Sequence, residues 1–129
     1  MRDLQLEIVP SSDPIRITTQ RKWGEYEDLL RLENRVVKIL TILPGQKISN
    51  QKHLKRSEVW TILSGTGEAC IQDNNSVIIL HLQPGTRFEV EVDVWHQVKA
   101  DDDSTLVALE LQDGEICSEH DIIRKEDIL

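Results

Sequence analysis

From Arg35 onward the chain is cut into short β-prone runs by turn residues, and nothing in this stretch repeats at helical spacing. Val36 to Leu43 ends at Pro44-Gly45, Glu58 to Leu63 at Ser64-Gly65-Thr66-Gly67, Glu68 to Gln72 at Asp73-Asn74-Asn75, and Ser76 to Leu82 at Pro84-Gly85. Arg87 to Val92 then reaches Asp93, Val94 to Ala100 reaches Asp101-Asp102-Asp103-Ser104, and Thr105 to Gln112 reaches Asp113-Gly114. Turn signals at intervals of about eight to twelve residues belong to a sandwich or barrel, so the expected class is all-β. Phe88, Val90 and Val92 alternate with Arg87, Glu89 and Glu91, which predicts one buried and one solvated face. Val77-Ile78-Ile79-Leu80 is apolar on both faces and suits a strand covered by a partner sheet or a second subunit. Ser118, three residues before Asp121, resembles a weak helix cap, so Asp121 to Leu129 reads as a short helix or an ordered arm. Residues 1–20 read as an N-terminal arm with an edge strand at Ile15 to Thr18, and residues 21–129 as a single domain.

At 129 residues the chain can bury one core without disulfides or a structural metal, and a two-domain enzyme is not expected. Lys and Arg number 15 against 23 Asp and Glu, a formal charge of −8. That balance speaks against nucleic acid or an anionic membrane as partner, because both need a basic footprint, and any anionic ligand must meet a local basic cluster. Val77 to Leu80 is as long as any purely apolar run, far short of the roughly 20 residues that span a bilayer. Arg2, Asp3 and Glu7 interrupt the start of the chain, so no signal peptide is read and a cytoplasmic location is expected. Cys70 and Cys117 form no metal or redox spacing and read as two inert thiols.

Chemistry rests on few residues. Gln51 and His53 sit two apart in a polar stretch entering a strand, where alternate side chains face one site; Glu58 follows, and His96 comes from a distant strand. Amide oxygen, imidazole and carboxylate all suit a borderline divalent metal. The set carries one negative charge, so a divalent ion would keep a net charge of about +1 and remain a Lewis acid. The competing reading is two hydrogen-bonded histidines beside ordinary surface groups. Lys52, Lys55 and Arg56 crowd His53 in an otherwise acidic chain. His81 alternates among apolar residues and reads as a packed or rim histidine; His120 stands apart, and Trp60 and Trp95 read as core or pocket wall.

As a whole, the spacing resembles the cupin superfamily. Gly45, Gln51, His53, Glu58 and Gly65 fall at the intervals of its first motif, with Gln51 in place of the first histidine. Gly85 and His96 keep the register of the second, where Glu91, Asp93 and Ala100 replace its Pro, Gly and Asn. Within cupins the chain is similar to the cupin domain of type II mannose-6-phosphate isomerases. Arg21-Lys22-Trp23-Gly24-Glu25-Tyr26-Glu27 resembles that family's opening element with Lys22 for Pro. Pro44-Gly45-Gln46, Ser49, Gln51, His53, Arg56, Glu58 and Trp60 resemble its metal region, with Val59 where the family has His and Lys55 where it often has His. Ser64-Gly65-Thr66 and Asp121-Ile122-Ile123-Arg124-Lys125-Glu126-Asp127 extend the match over about residues 20 to 127.

The resemblance implies a single-domain cupin, a double-stranded β-helix or jelly-roll barrel, paired as a homodimer. It implies a divalent metal, zinc first and manganese, cobalt or nickel otherwise, held by Gln51, His53, Glu58 and His96. The implied reaction interconverts mannose 6-phosphate and fructose 6-phosphate through an enediol, with Arg56, Lys55 and Arg124 as contacts to the phosphosugar. No catalytic base is assigned; Glu89, Glu91 and Glu126 are candidates. No nucleotidyltransferase domain is read, so guanylyltransferase activity is not expected of this chain. Two alternatives stay open. One is a non-catalytic sugar-binding or regulatory cupin, motivated by Val59, Glu91 and Asp93; the other is a different sugar-modifying cupin enzyme such as an epimerase or lyase.

Overall fold

The computed structural model describes residues 17–129, all strands and turns. Eleven strands run in chain order: β1 Thr18–Arg21, β2 Gly24–Arg31, β3 Arg35–Ile42, β4 Asn50–Lys52, β5 Arg56–Ser64, β6 Gly67–Gln72, β7 Val77–Leu82, β8 Arg87–Val90, β9 Trp95–Ala100, β10 Leu106–Gly114 and β11 Ile123–Lys125. They form two antiparallel sheets, of order β1-β2-β3-β10-β5-β8 and β11-β4-β9-β6-β7. The all-β expectation holds. Of the edge strand expected at Ile15 to Thr18, Ile15 and Arg16 lie outside the described residues, and Thr18 opens β1.

Alternation explains the packing. On β3, Val36, Lys38, Leu40 and Ile42 point inward; on β5 it is Arg56, Glu58, Trp60 and Ile62; on β10 it is Leu106, Ala108, Glu110 and Gln112. Strand register lines these up in rows, Leu40 and Ile62 flanking Ala108, and Lys38 and Trp60 flanking Glu110. Apolar rows pack with Ile48, Ala69, Val98 and Ala100 of the facing sheet into one core. Rows nearer Val36 carry the polar side chains, so the same interior is apolar along part of its length and polar along the rest. At the turn after β5, Gly65 has φ +83° and a Cβ there would run into the Thr105 carbonyl oxygen, so only glycine fits.

Three local expectations change. Val92 does not join Phe88 and Val90 inside, because β8 stops at Val90 and the chain turns; Val92 is exposed. Of the two covers expected for Val77, Ile78 and Ile79, no partner sheet of the described residues supplies one: β7 is a sheet edge, and within one chain each is about half exposed. Of the two forms left open for the tail, the ordered arm is the one adopted. Ser118 caps no helix; its hydroxyl accepts from His120 N, and the chain turns into β11 beside β4. Gln97 holds the end of the tail, its Oε1 accepting from the backbone of Ile128 and Leu129 and its Nε2 donating to Asp127. Cys70 and Cys117 are buried free thiols, and burial pushes both up from the ordinary thiol range.

Candidate metal centre

His53, just past β4, Glu58 on β5 and His96 on β9 converge in the interior, each offering a ligand atom, all within 4.8 Å of one another. Glu58 Oε2 is 3.2 Å from His53 Nε2, and Glu58 Oε1 is 3.2 Å from His96 Nε2. Adjacent ligands about a tetrahedral zinc stand roughly 3.3 Å apart, given bonds of about 2.0–2.1 Å. Both imidazoles are fixed in the tautomer that leaves Nε2 unprotonated. His53 Nδ1 donates to the Asp121 carbonyl at 2.6 Å, and His96 Nδ1 donates to the Val94 carbonyl at 3.1 Å. His96 Nε2 is buried and makes no hydrogen bond among the described residues. Burial lowers the His53 pKa, against the pull of Glu58, so a neutral ligand is favoured. Burial alone would raise Glu58; the nearby His96 and His53 rings and the Arg56 guanidinium outweigh it and hold the carboxylate well below the usual range. These observations fit a divalent cation, and the three residues are able to hold one.

The turn that aims His96 lacks the glycine of the cupin motif. Asp93 takes its place in the left-handed region at φ 66°, a conformation Asp tolerates better than most residues, and its N–H donates to the His53 carbonyl at 2.8 Å. Trp60 Nε1 donates to Glu58 Oε1 at 3.0 Å, which makes this core tryptophan a positioner of the carboxylate.

A cavity of about 330 Å³ opens over the cluster. Gln51 lines it, in one row with Arg124 of β11 and His96 of β9. Arg56 also lines it but is buried and already engaged, donating to Glu58 Oε2 at 3.1 Å, to the Ser118 carbonyl at 2.8 Å and to His53 Nε2 at 3.3 Å. Lys55 is exposed and does not line the cavity, since its position follows the turn outward; its backbone N–H donates to Asp121 Oδ2. Glu89, Glu91 and Glu126 are exposed and line no part of it. Trp95 lies away from it, its ring between Lys52 Nζ at 5.0 Å and Lys125 Nζ at 4.4 Å, and His81 sits exposed on β7.

The cavity is also lined by residues that the sequence reading did not single out for a role. Arg21 and Lys22 stand at its wall with Arg124; neither Lys22 nor Arg124 has an ion-pair partner among the described residues. Lys38, buried, pairs with Glu119 at 2.6 Å; burial works against the Glu119 charge, and Lys38 prevails to hold it low. Glu110 lies buried at the cavity wall, accepting from Gln112 Nε2 at 2.6 Å, and burial with the nearby Glu58 charge pushes it up to about 8. One signal would have found Lys38, Glu110 and Gln112: each is a polar residue in the inward phase of an otherwise apolar alternation, Val36-x-Lys38-x-Leu40 and Leu106-x-Ala108-x-Glu110-x-Gln112.

Comparison with known proteins agrees with this architecture. A family model described as mannose-6-phosphate isomerase C-terminal matches residues 12–127. A mannose-1-phosphate guanylyltransferase of Salmonella muenchen is 33% identical over 106 residues, covering 82% of this chain and 22% of that protein. The alginate biosynthesis protein AlgA of Pseudomonas putida is 32% identical over 108 residues, covering 84% and 21%. The chain thus spans about a fifth of the length of these curated relatives. Among solved structures, capsular polysaccharide assembling protein CapF of Staphylococcus aureus superposes with a TM-score of 0.77 at 18% identity, covering 92% of this chain and 37% of that one. Oxalate decarboxylase of Bacillus subtilis, described with Mn(II) centres, gives 0.71 at 19%, covering 85% and 30%. Among the described residues no helix is long and apolar enough to cross a membrane.

Proposed function

The chain belongs to the mannose-6-phosphate isomerase C-terminal family and has the cupin fold, and on that premise we propose that it is a metal-dependent phosphosugar isomerase interconverting mannose 6-phosphate and fructose 6-phosphate. Gln51, His53, Glu58 and His96 would hold the divalent ion, zinc first and manganese, cobalt or nickel otherwise. When bound, it supplies Lewis-acid polarisation of the sugar carbonyl. The observation that carries the reading is the meeting, at one cavity, of Glu58 and His96 of the cluster with Lys22 and Arg124, which have no ion-pair partner among the described residues.

The residues of the chain divide the remaining work. Arg124, Lys22 and Arg21 take the phosphate, a fork-shaped and point-charge set suited to an anion in a chain of net charge −8. Arg56 stays on Glu58 and the Ser118 carbonyl, offsetting buried negative charge rather than reaching outward, and Lys55 has no part in the cavity. With this reading go a cytoplasmic location, a domain over residues 21–129 behind an arm over residues 1–20, and a homodimer that covers the half-exposed Val77, Ile78 and Ile79 of β7.

One observation favours a second reading, a cupin that binds a sugar without chemistry. The Arg56 guanidinium already contacts both His53 Nε2 and Glu58 Oε2, two atoms that a metal would need. Turnover separates the two readings. After loading with each metal in turn, mannose 6-phosphate should be converted to fructose 6-phosphate, and His53→Ala and Glu58→Ala should each abolish conversion while keeping the β-rich circular dichroism spectrum. No conversion with any metal would favour the binding cupin, and full activity in both variants would sink the metal mechanism.

A further inference from the structure

Resting on the isomerase reading above, we propose that Glu110 is the catalytic residue that carries the proton between C2 and C1 of the phosphosugar. An aldose–ketose isomerisation through an enediol needs one group able to take a proton from one carbon and return it to the next. Four carboxylates are near enough to consider, and the structure eliminates three. Glu58 has both oxygens engaged, by Trp60 Nε1 and by Arg56. Glu119 is tied to Lys38 at 2.6 Å and to Arg31 at 3.2 Å. Asp28 belongs to the Arg31 ion pair and does not line the cavity.

Glu110, unlike these three, has no ion-pair partner or bound pair of oxygens among the described residues. It is 4% exposed, lines the cavity that Glu58 and His96 also line, and has one hydrogen-bond partner among the described residues, the Gln112 amide on Oε1. Strand register places it directly opposite Lys38 on one side and Trp60 on the other. Residues so opposed have Cβ atoms about 4.5–5.5 Å apart, so the Lys38 chain walls one side of the carboxyl while its ammonium reaches away to Glu119. Gln112, one inward residue along β10, stands opposite Glu58, so one amide orients the proton carrier next to the row that holds the cluster. The carboxyl is thereby held by the Gln112 amide through one oxygen at the wall of the cavity.

The step balances within substrate and side chain. In open-chain mannose 6-phosphate, Glu110 in its ionised form, the minor form at neutral pH, takes the proton from C2; the C–H electron pair becomes the C1=C2 bond and the carbonyl pair moves onto O1. The O2 proton passes to O1, the O2 electron pair forms the new C2=O bond, and the C1=C2 pair takes the proton back from the Glu110 carboxylic acid at C1. Fructose 6-phosphate leaves with Glu110 ionised as it began.

The test compares wild type, Glu110→Gln and Glu110→Asp in D2O, following turnover and deuterium at C1 and C2 by NMR, with metal content and melting temperature recorded for each. Wild type should isomerise with deuterium entering C1 of fructose 6-phosphate. Glu110→Gln should keep its metal and its melting temperature within a few degrees, yet lose turnover and exchange together by about 10²–10⁴-fold. Glu110→Asp, with the carboxyl withdrawn by one carbon, should lose kcat with little change in KM, which a merely structural role would not produce. An active wild type whose Glu110→Gln variant keeps turnover and exchange within about threefold would overturn the assignment and leave the isomerase reading standing. A wild type inert toward mannose 6-phosphate with every metal would overturn both.

Discussion

Asp121 is the residue whose removal should separate folding from metal binding most cleanly. Its carboxylate accepts from Leu54 N at 3.0 Å and Lys55 N at 2.9 Å, and its carbonyl accepts from His53 Nδ1 at 2.6 Å. Asp121→Ala deletes the first two bonds and leaves the carbonyl in place, but on a segment no longer pinned to the turn that carries His53. Hydrogen bonds to charged groups contribute about 1.5–3 kcal/mol each when buried; these are half exposed, so about 1 kcal/mol each and about 2 kcal/mol together is the expected loss. For a chain of this size that is a fall of about 8 °C in melting temperature. Partners that orient a metal-ligating histidine are typically worth 10–100-fold in metal affinity, so the zinc Kd should rise by that factor. Asp121→Asn, which keeps one acceptor, should fall between. The assays are thermal unfolding of the metal-free protein and competition with a chromophoric chelator. A stability loss of the expected size with unchanged zinc affinity in both variants would refute the reasoning, because the tail would then hold the fold and not the ligand.

Other expectations follow from burial and charge. Glu110 has a folded pKa raised to about 8, so its stabilising contribution is full below about 4.5 and is lost as pH rises through 8; Glu110→Gln should flatten that limb of a stability–pH curve. His53 has a folded pKa below the ordinary 6.5, so its contribution is full above 6.5 and is lost as pH falls below it, taking metal with it, which a pH series of metal retention would show. Ile62→Ala removes a side chain that is 1% exposed in the core and should cost about 2–5 kcal/mol in urea unfolding. Arg124→Ala should raise KM for mannose 6-phosphate by tenfold or more with kcat less affected; an unchanged KM would remove Arg124 from the phosphate site.

The legible part of this fold was the part with regular alternation. Strands β3, β5, β6, β7, β8, β9 and β10 all lie where turn residues bracket apolar runs, within a few residues at each end. β2 escaped because its inward positions include Tyr26 and Asp28 and a bulge breaks its phase between Asp28 and Leu30, so no apolar period survives to be read. β4 and β11 are three residues each and exist through pairing with one another and with β9, which is tertiary information. At the site, motif spacing and the family resemblance brought Gln51, His53, Glu58 and His96 into view; Gln51, Glu58 and His96 line the cavity, and His53 clusters with Glu58 and His96. Lys55 turns outward and Arg56 spends its donors on Glu58, His53 and Ser118, neither of which adjacency to His53 in sequence reveals. Arg21 and Lys22 reach the cavity from across the sheet, over a distance no local pattern encodes.

The central claim, that His53, Glu58 and His96 form a metal centre despite the guanidinium beside them, is tested most directly by elemental analysis of protein purified without chelators or a histidine tag and then loaded with zinc. About one zinc per chain, lost in His96→Ala while the melting curve stays cooperative, is the predicted result. A ratio near zero after loading, or a ratio of one that persists in His96→Ala, would contradict it.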